Sequence, residues 1–156
     1  YMNMLNPDQA AKAGNFITEL IESNGGKLST GFLGLKPLLP ALSATGHSEA
    51  AYKLLLSEEY PSWGFEVVNG ANTIWERWNS YTRDHGFGGP QNAEMNSFAH
   101  YAFGAVCEWM FSQLAGIQTD GPGYRRIIIR PTPPSPRMPT VSSGPAMNCS
   151  AMTTRS

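Results

Sequence analysis

Apolar residues recur at helical spacing over residues 7–23, and this pattern predicts an amphipathic helix with one buried face. Asn6 is a suitable N-cap, and Pro7 suits the first helical position because its missing N–H would have no partner there. Asn24-Gly25-Gly26 predicts the end of this helix, since glycine readily adopts the left-handed conformation that follows many helices. The first element is therefore expected to be a helix from about Pro7 to Ser23.

Two further helices are predicted by the residues that follow. A tight, glycine-punctuated loop is expected over residues 28–34, and then a helix from Pro37 to about Thr45 that stops at Gly46. The next helix is expected over residues 48–58, with alanine and leucine on one side. Short helices separated by glycine turns are typical of helical hairpins.

The middle of the chain does not show this alternation of short helices and glycine turns. Residues 60–79 and 80–95 are rich in aromatic residues, glycine and proline, and they are predicted to be irregular. Loops of this length inside a domain are uncommon and often functional. The strongest helical periodicity comes next, and it predicts a last helix that is capped by Asn96 or Ser97 and closed by Leu114-Ala115-Gly116.

The pattern changes again after Gly116. A run of β-branched residues ended by a proline predicts one strand over residues 123–131. Residues 132–156 are rich in Pro, Ser, Thr and Met and have no periodicity, so a disordered tail is expected there. The pattern as a whole predicts a mainly α chain with one strand near its end.

Composition and charge narrow the function classes. The 156 residues include 11 Lys+Arg and 12 Asp+Glu, and the formal net charge of −1 argues against a nucleic-acid-binding or polybasic membrane-surface protein. No apolar run approaches the length of a membrane span and no signal peptide is recognised, so no membrane partner is expected and the localisation stays open. Cys107 is expected to be a buried free thiol, and no disulfide with Cys149 is expected.

The motifs give no support to metal or nucleotide chemistry. His47, His85 and His100 do not have the spacing of a metal-ligand set. The Gly86-Phe87-Gly88-Gly89 cluster lacks the strand before it and the helix after it that a nucleotide-binding loop needs. We therefore expect neither a metal nor an organic cofactor.

The most informative segment is Trp75-Glu76-Arg77-Trp78, in which a carboxylate lies between two indoles. In one interpretation Glu76 is a surface residue paired with Arg77 or another cation, and both tryptophans belong to the core. In the other, Glu76 lies on the floor of a sugar pocket, where aromatic rings stack on the pyranose and the carboxylate activates water as a general base. The segment alone leaves both interpretations open.

His100 and the other carboxylates allow similar alternatives. His100, near the start of the last predicted helix, is either a partly buried helix residue or a neutral imidazole that hydrogen-bonds a sugar hydroxyl. Glu66 and Glu108 are expected to be solvated or ion-paired. Glu94 is expected to serve the N-terminus of the last helix.

Several stretches together make the chain recognisable. They are Ser29-Thr30-Gly31-Phe32-Leu33-Gly34, Leu54-Leu55-Leu56, Tyr60-Pro61-Ser62-Trp63-Gly64, Gly70-Ala71-Asn72-Thr73-Ile74-Trp75-Glu76-Arg77-Trp78 and Met95-Asn96-Ser97-Phe98-Ala99-His100-Tyr101-Ala102-Phe103-Gly104. This set closely resembles the C-terminal part of the catalytic domain of bacterial α-L-rhamnosidases, glycoside hydrolase family 78. The resemblance spans about residues 3–131 and implies a partial (α/α)6 barrel of the six-hairpin glycosidase type, followed by the first strand of a C-terminal β domain.

The resemblance also implies a reaction and roles for individual residues. Members of the family are inverting glycoside hydrolases that remove terminal, non-reducing α-L-rhamnose, so the expected partner is a rhamnose-containing glycoside or polysaccharide. The general base of the family falls on Glu76, and the contact to rhamnose falls on His100. Trp75 and Trp78 are further substrate-binding candidates that could equally well pack around the pocket.

The general acid of the family lies in an earlier acidic stretch that has no counterpart in this chain. We therefore expect a fragment that is inactive alone, with a partial catalytic domain at 1–116, the start of the β domain at 117–131 and a disordered or aberrant tail at 132–156. Alternatives are a non-catalytic carbohydrate-binding protein, an (α/α)6 glycosidase of other sugar specificity, and a chain that does not fold without its barrel partners. The oligomeric state is not predicted.

Overall fold

The computed structural model describes residues 4–134 and shows a mainly helical chain that ends in a small antiparallel sheet. The regular elements are α1 (Pro7–Ser23), α2 (Phe32–Ala44), α3 (Ser48–Leu56), α4 (Trp63–Val68), α5 (Val106–Trp109), β1 (Ile117–Thr119) and β2 (Ile127–Ile129). Short 3-10 turns lie at Trp78–Ser80, Pro90–Asn92, Phe103–Ala105 and Pro122–Tyr124, and a π-helical turn lies at Met110–Leu114. The predicted tail beyond residue 134, including Cys149, lies outside the described residues.

Helix α1 has the predicted bounds because its start and stop signals are local. The Asn6 side chain accepts the Gln9 N–H at 2.9 Å, and the Gln9 side chain accepts the Asn6 N–H at 3.1 Å. This reciprocal capping box satisfies two of the donors that the start of a helix leaves unpaired. At the other end Gly25 and Gly26 have φ of 70° and 73°, the left-handed conformation that glycine adopts without strain.

Helices α1 and α2 form a hairpin in close contact. Gly14 is the buried residue of α1, and a Cβ added there would lie 2.3 Å from Thr45 Oγ1 at the end of α2. A second link lies beside the first, between the middle of α1 and the residues after α2, since His47 Nε2 and Asn15 Oδ1 are 3.0 Å apart. Helix α2 also packs against α3 and α5, so it is the central helix of the array.

Helix α2 begins at Phe32 rather than at Pro37, so the predicted loop over residues 28–34 is wrong in its second half. Leu35 is buried on the same helix face as Leu39 and Leu42, and its burial favours a helix that starts upstream of the proline. Pro37 therefore lies inside the helix, although it cannot donate a backbone hydrogen bond there.

Helices α3 and α4 modify the predictions for the middle of the chain. Helix α3 starts at Ser48 as predicted and ends at Leu56, slightly earlier than expected. Residues 60–79 were predicted to be irregular, but they contain α4, whose first turn is capped by Ser62 Oγ accepting the Phe65 N–H at 2.9 Å. The missed signal is this serine cap before a short apolar run.

The last predicted helix is wrong in its first part. Residues 97–102 are not helical, because the backbone of Ser97 and His100 pairs with another segment, and helical turns start only at Phe103. Consequently Glu94 has no helix N-terminus to serve, and Tyr101, which the predicted helix would include, is 87% exposed. Cys107 is also exposed, against the expected buried thiol.

One hydrophobic core joins the helices. Trp109, at the end of α5, is 1% exposed; its ring meets Tyr52 of α3 edge-on at 5.1 Å, and its Nε1 donates to Ser43 Oγ of α2 at 2.8 Å. The core cluster consists of Leu28, Leu35, Leu39, Leu42, Ala51, Tyr52, Leu54, Trp63, Phe103, Val106 and Trp109. In the described part of the chain no helix has the length and apolar character needed to cross a membrane.

The sheet follows the helical array directly. Strand β2 confirms the predicted strand in its central part, and it pairs antiparallel with β1, which the sequence pattern did not predict. Beyond β2, Thr132 donates its N–H to Gln113 at 3.1 Å and accepts a hydrogen bond from the Tyr52 hydroxyl. The first residues of the predicted tail are therefore held against the helices. The proposed boundary at residue 116 stays a prediction.

Candidate active site

Two loop segments meet at the Glu76 motif, and one of them takes the place of the first part of the last predicted helix. The Glu76 N–H donates to Ser97 O at 2.9 Å, and the His100 N–H donates to Ile74 O at 2.8 Å. Thr73 Oγ1 adds a bond of 2.5 Å to Phe98 O. Residues 73–76 and 97–100 therefore run side by side, and both motifs of the sequence analysis lie in one pair of segments.

The Glu76 carboxylate is held by a backbone donor rather than by a cation. Its Oε2 accepts the Ser97 N–H at 2.7 Å, a short charge-assisted geometry. The neighbouring Arg77 points elsewhere, since its guanidinium donates to Gln91 O at 3.3 Å and to Met95 O. Among residues 4–134 no salt bridge involves Glu76. The ion pair of the first interpretation, with Arg77 or another cation, is therefore absent among these residues.

Glu76 lines a cavity of about 390 Å³. The other lining residues are Gly31, Phe32, Tyr60, Arg77, Trp78, Asn79 and Phe103. They come from the junction of the α1–α2 loop with α2, the α3–α4 loop, the segment after α4 and the turn before α5, so connections between the helices meet at one place. A carboxylate among aromatic rings, in a cavity large enough for a monosaccharide, is the arrangement that the second interpretation requires.

Trp78 is fixed at the wall of this cavity. Its indole stacks on the Phe103 ring with centroids 3.9 Å apart and an interplanar angle of 11°, and it meets Trp63 edge-on at 5.4 Å. Its Nε1 donates to Thr30 O at 3.1 Å. These contacts leave Trp78 half-buried, with part of its surface facing the cavity.

Trp75 lies on the other side of the segment and is 2% exposed. Its ring meets Phe87 edge-on at 5.4 Å and contacts Tyr81 and Phe98 at 6.3 Å. In these surroundings the indole has no open face for a sugar. Of the two roles that the sequence left open for Trp75, the geometry favours packing.

His100 does not line the cavity itself but contacts Phe32, which does. The two ring centroids are 6.1 Å apart, and Phe32 itself lines the cavity. The imidazole is half-buried and stacks on Tyr101 at 5.4 Å, while its Nδ1 is 3.3 Å from the Ala102 N–H. With Nδ1 as acceptor in this contact, Nε2 carries the proton and can donate to a ligand.

A network of amide side chains holds the loop between the two motifs. Asn96 Nδ2 donates to Ser80 Oγ at 2.9 Å and to Asn92 Oδ1 at 2.6 Å. Asn92 Nδ2 in turn donates to Ser80 O and to Phe87 O, both at 2.8 Å. Sequence reasoning missed this network, and the only signal was the number of asparagines in a glycine-rich stretch.

Glu66 was expected to be solvated or paired, and the structure corrects this. The residue is 2% exposed; Oε2 accepts the Trp75 N–H at 3.4 Å, and Oε1 is buried with no hydrogen-bond partner among the described residues. Desolvation raises the pKa of Glu66 to about 7, against a smaller lowering by the Trp75 bond. Glu108, by contrast, is ion-paired as expected, 3.3 Å from Lys36 Nζ.

A second and larger cavity, of about 570 Å³, adjoins the first. Tyr60 and Asn79 line both cavities, and Arg83 lines the second one only. No group of three or more His, Cys, Asp or Glu side chains that could hold a metal ion occurs within residues 4–134.

Comparison of the fold with solved structures identifies the class, the glycosidases built from helical hairpins. The crystal structure of Streptomyces avermitilis α-L-rhamnosidase complexed with L-rhamnose matches with a TM-score of 0.77 and 46% identity, over 85% of this chain and 13% of that chain. The native enzyme from Aspergillus terreus matches with a TM-score of 0.74 and 38% identity, over 81% of this chain and 14% of that chain. The expected fold class is thus confirmed.

Sequence comparison gives the family. The profile of the bacterial α-L-rhamnosidase 6 hairpin glycosidase domain matches residues 1–114, and the chain belongs to this family. An α-L-rhamnosidase of Streptomyces avermitilis is 49% identical over 133 residues, which are 85% of this chain and 12% of the relative. One of Formosa agariphila is 42% identical over 134 residues, 86% of this chain and 14% of the relative. The chain therefore spans about an eighth of the length of these relatives.

Proposed function

We propose that this chain supplies the general-base side of an α-L-rhamnosidase active site. The observation that carries the proposal is the Glu76 carboxylate, oriented by the Ser97 N–H and facing a cavity with aromatic walls. The backbone bond occupies one lone-pair direction of Oε2 and leaves Oε1 free to accept a proton from water. Family membership supports the proposed substrate class, a glycoside or polysaccharide that ends in α-L-rhamnose.

In the proposed reaction Glu76 removes a proton from a water molecule, which attacks the anomeric carbon of rhamnose as the glycosidic bond breaks. The leaving oxygen receives a proton from a carboxylic acid on the opposite face of the sugar. Inverting enzymes hold the two carboxyl groups roughly 6.5–9.5 Å apart, which leaves room for the water. Among the described residues that line the cavity, Glu76 is the one carboxylate.

We therefore place the general acid outside this chain, in a part of the rhamnosidase domain that these residues do not cover. The 156-residue chain alone should then show no turnover. His100 and Trp78 are proposed to contact the rhamnose, while Trp75 supports the segment from behind. The adjoining cavity beyond Tyr60 and Asn79 has room for the rest of the glycoside.

The test uses the full-length product, meaning the complete translation of the reading frame that contains these residues, with an aryl α-L-rhamnoside as substrate. We expect release of rhamnose, with the β-anomer detected first by proton NMR because inversion converts an α-linkage into a β-product. Release of the α-anomer first would overturn the inverting mechanism. Binding of L-rhamnose without hydrolysis would instead favour a carbohydrate-binding protein, and cleavage of a different glycoside would favour another specificity.

A further inference from the structure

The backbone on either side of Glu76 is anchored from two directions. Ile74 and Glu76 make their backbone hydrogen bonds to one segment, and the Trp75 N–H makes its bond elsewhere. Ile74 O and the Glu76 N–H both face residues 97–100 and are bonded there. Within the described part of the chain the Trp75 N–H has no backbone acceptor, and its partner is a side chain of α4.

Glu66 supplies the acceptor for this N–H. Its Oε2 accepts the Trp75 N–H at 3.4 Å, and this is the bond that the structure gives that buried donor. The backbone of Glu66 adds a second tie, because its carbonyl accepts the Ala71 N–H at 3.0 Å and so holds the chain as it leaves α4. One residue of α4 is thus linked to both ends of the connection that leads to Glu76.

Packing alone does not explain why a carboxyl group is buried at position 66. Burying a carboxyl group is costly unless it is hydrogen-bonded, and Glu66 Oε1 has no partner among the described residues. Glu66 also lines an apolar cavity of about 280 Å³ with Trp63, Val67 and Ile74, which an aliphatic side chain would suit better. What Glu66 adds over an aliphatic residue is the acceptor for Trp75.

We propose that Glu66 is a positioning residue, whose carboxyl holds the Trp75 N–H and thereby fixes the Glu76 carboxylate in the cavity. The role is indirect, since Glu66 does not line the cavity that contains Glu76. Its part in catalysis rests on the proposed function, whereas its hold on the segment does not. A shift of the base by about 1 Å is enough to reduce a rate up to about a hundredfold.

The test compares three variants of the full-length product. Glu66→Gln keeps an acceptor oxygen at the same reach, Glu66→Leu removes it, and Glu66→Asp withdraws it by one methylene. Glu108→Gln, on the exposed surface, is the control for the loss of a carboxylate. Ala51→Gly, at a fully buried position of α3 away from the site, is the control for lost stability.

Two readouts are taken from each variant: kcat and KM on an aryl α-L-rhamnoside, and deuterium uptake of peptides that cover residues 73–78. We expect Glu66→Leu to lower kcat about tenfold or more with little change in KM, and to speed uptake in these peptides. Glu66→Asp should do the same to a lesser degree, and it carries the test if the leucine variant does not fold. Glu66→Gln and both controls should keep kcat within about twofold.

The outcomes separate the two proposals. Unchanged kcat and deuterium uptake in the leucine and aspartate variants would overturn the positioning role. A loss of kcat in Ala51→Gly as large as that in Glu66→Leu would overturn it as well. If the parent protein hydrolyses no rhamnoside but Glu66→Leu still speeds uptake at residues 73–78, the proposed function fails and the positioning of the segment by Glu66 stands.

Discussion

Glu66 should make the stability of the folded chain depend on pH in a direction opposite to that of a salt-bridged carboxylate. Its pKa is raised from 4.5 to about 7, with desolvation as the main cause. Between these two pH values the folded state therefore binds more protons at this site than the unfolded state does. The free energy of unfolding should fall as the pH rises from about 4.5 to about 7, and it should change little above that range.

The size of this effect follows from the shift. Each pKa unit corresponds to about 1.4 kcal/mol, so a rise from 4.5 to about 7 amounts to about 3 kcal/mol of stability lost across the range. Glu66→Gln removes the titration and keeps the acceptor for Trp75. The stability of the glutamine variant relative to the parent should therefore increase by about 3 kcal/mol between pH 4.5 and pH 8.

The assay is urea unfolding of the 156-residue chain at several pH values, followed by tryptophan fluorescence, for the parent and Glu66→Gln. Glu94→Gln, at an exposed position, is the matched control and should give a curve parallel to the parent. A constant difference between parent and Glu66→Gln over the whole range would refute the reasoning, because Glu66 would then not titrate there. An uncooperative transition in the parent would favour the alternative that these helices need barrel partners to fold.

Two further predictions concern the packing of the helices. Gly14→Ala should lower the free energy of unfolding by about 1–3 kcal/mol, because the new Cβ would lie 2.3 Å from Thr45 Oγ1; a urea midpoint equal to that of the parent would mean that α1 and α2 can separate without cost. Trp109→Phe should lower the free energy of unfolding by about 1–3 kcal/mol, because the hydrogen bond from Nε1 to Ser43 Oγ is lost. A double-mutant cycle with Ser43→Ala measures the coupling energy of the two side chains, and a coupling energy of zero would contradict the prediction.

The elements that the sequence predicted well have local causes. Helix α1 carries its own capping box at Asn6 and its own stop at Gly25 and Gly26, so its bounds do not depend on the rest of the chain. The strand around β2 is likewise marked by a run of isoleucines and a proline. Such signals act within a few residues and can be recognised without knowledge of the fold.

The elements that were predicted wrongly depend on distant partners. Residues 97–100 have a helix-like pattern, but their backbone bonds go to residues 74–76 instead. Glu66 looks like a surface carboxylate in the sequence, but in the fold it is buried, and its carboxyl accepts a hydrogen bond from the N–H of Trp75, nine residues away. No spacing rule reports such contacts.

The candidate site lies between these two cases. The pattern around Glu76 left a surface ion pair and a sugar pocket equally open, and the resemblance to a family favoured the pocket. The structure adds two contacts that neither the pattern nor the resemblance could predict. Arg77 donates to backbone carbonyls rather than to Glu76, and the Glu76 carboxylate, which lines a cavity, accepts the Ser97 N–H. The indole of Trp75, expected as a possible sugar contact, is buried behind the segment.

The central claim is that Glu76 is the general base, and the most direct test is the kcat of Glu76→Gln on an aryl α-L-rhamnoside in the full-length product. Glu94→Gln serves as the matched control. We expect kcat to fall by a factor of about 100 to 10,000 in Glu76→Gln, the usual contribution of a general base, and to stay within about twofold in the control. A Glu76→Gln protein that keeps the parent kcat while the parent hydrolyses the substrate would contradict the assignment.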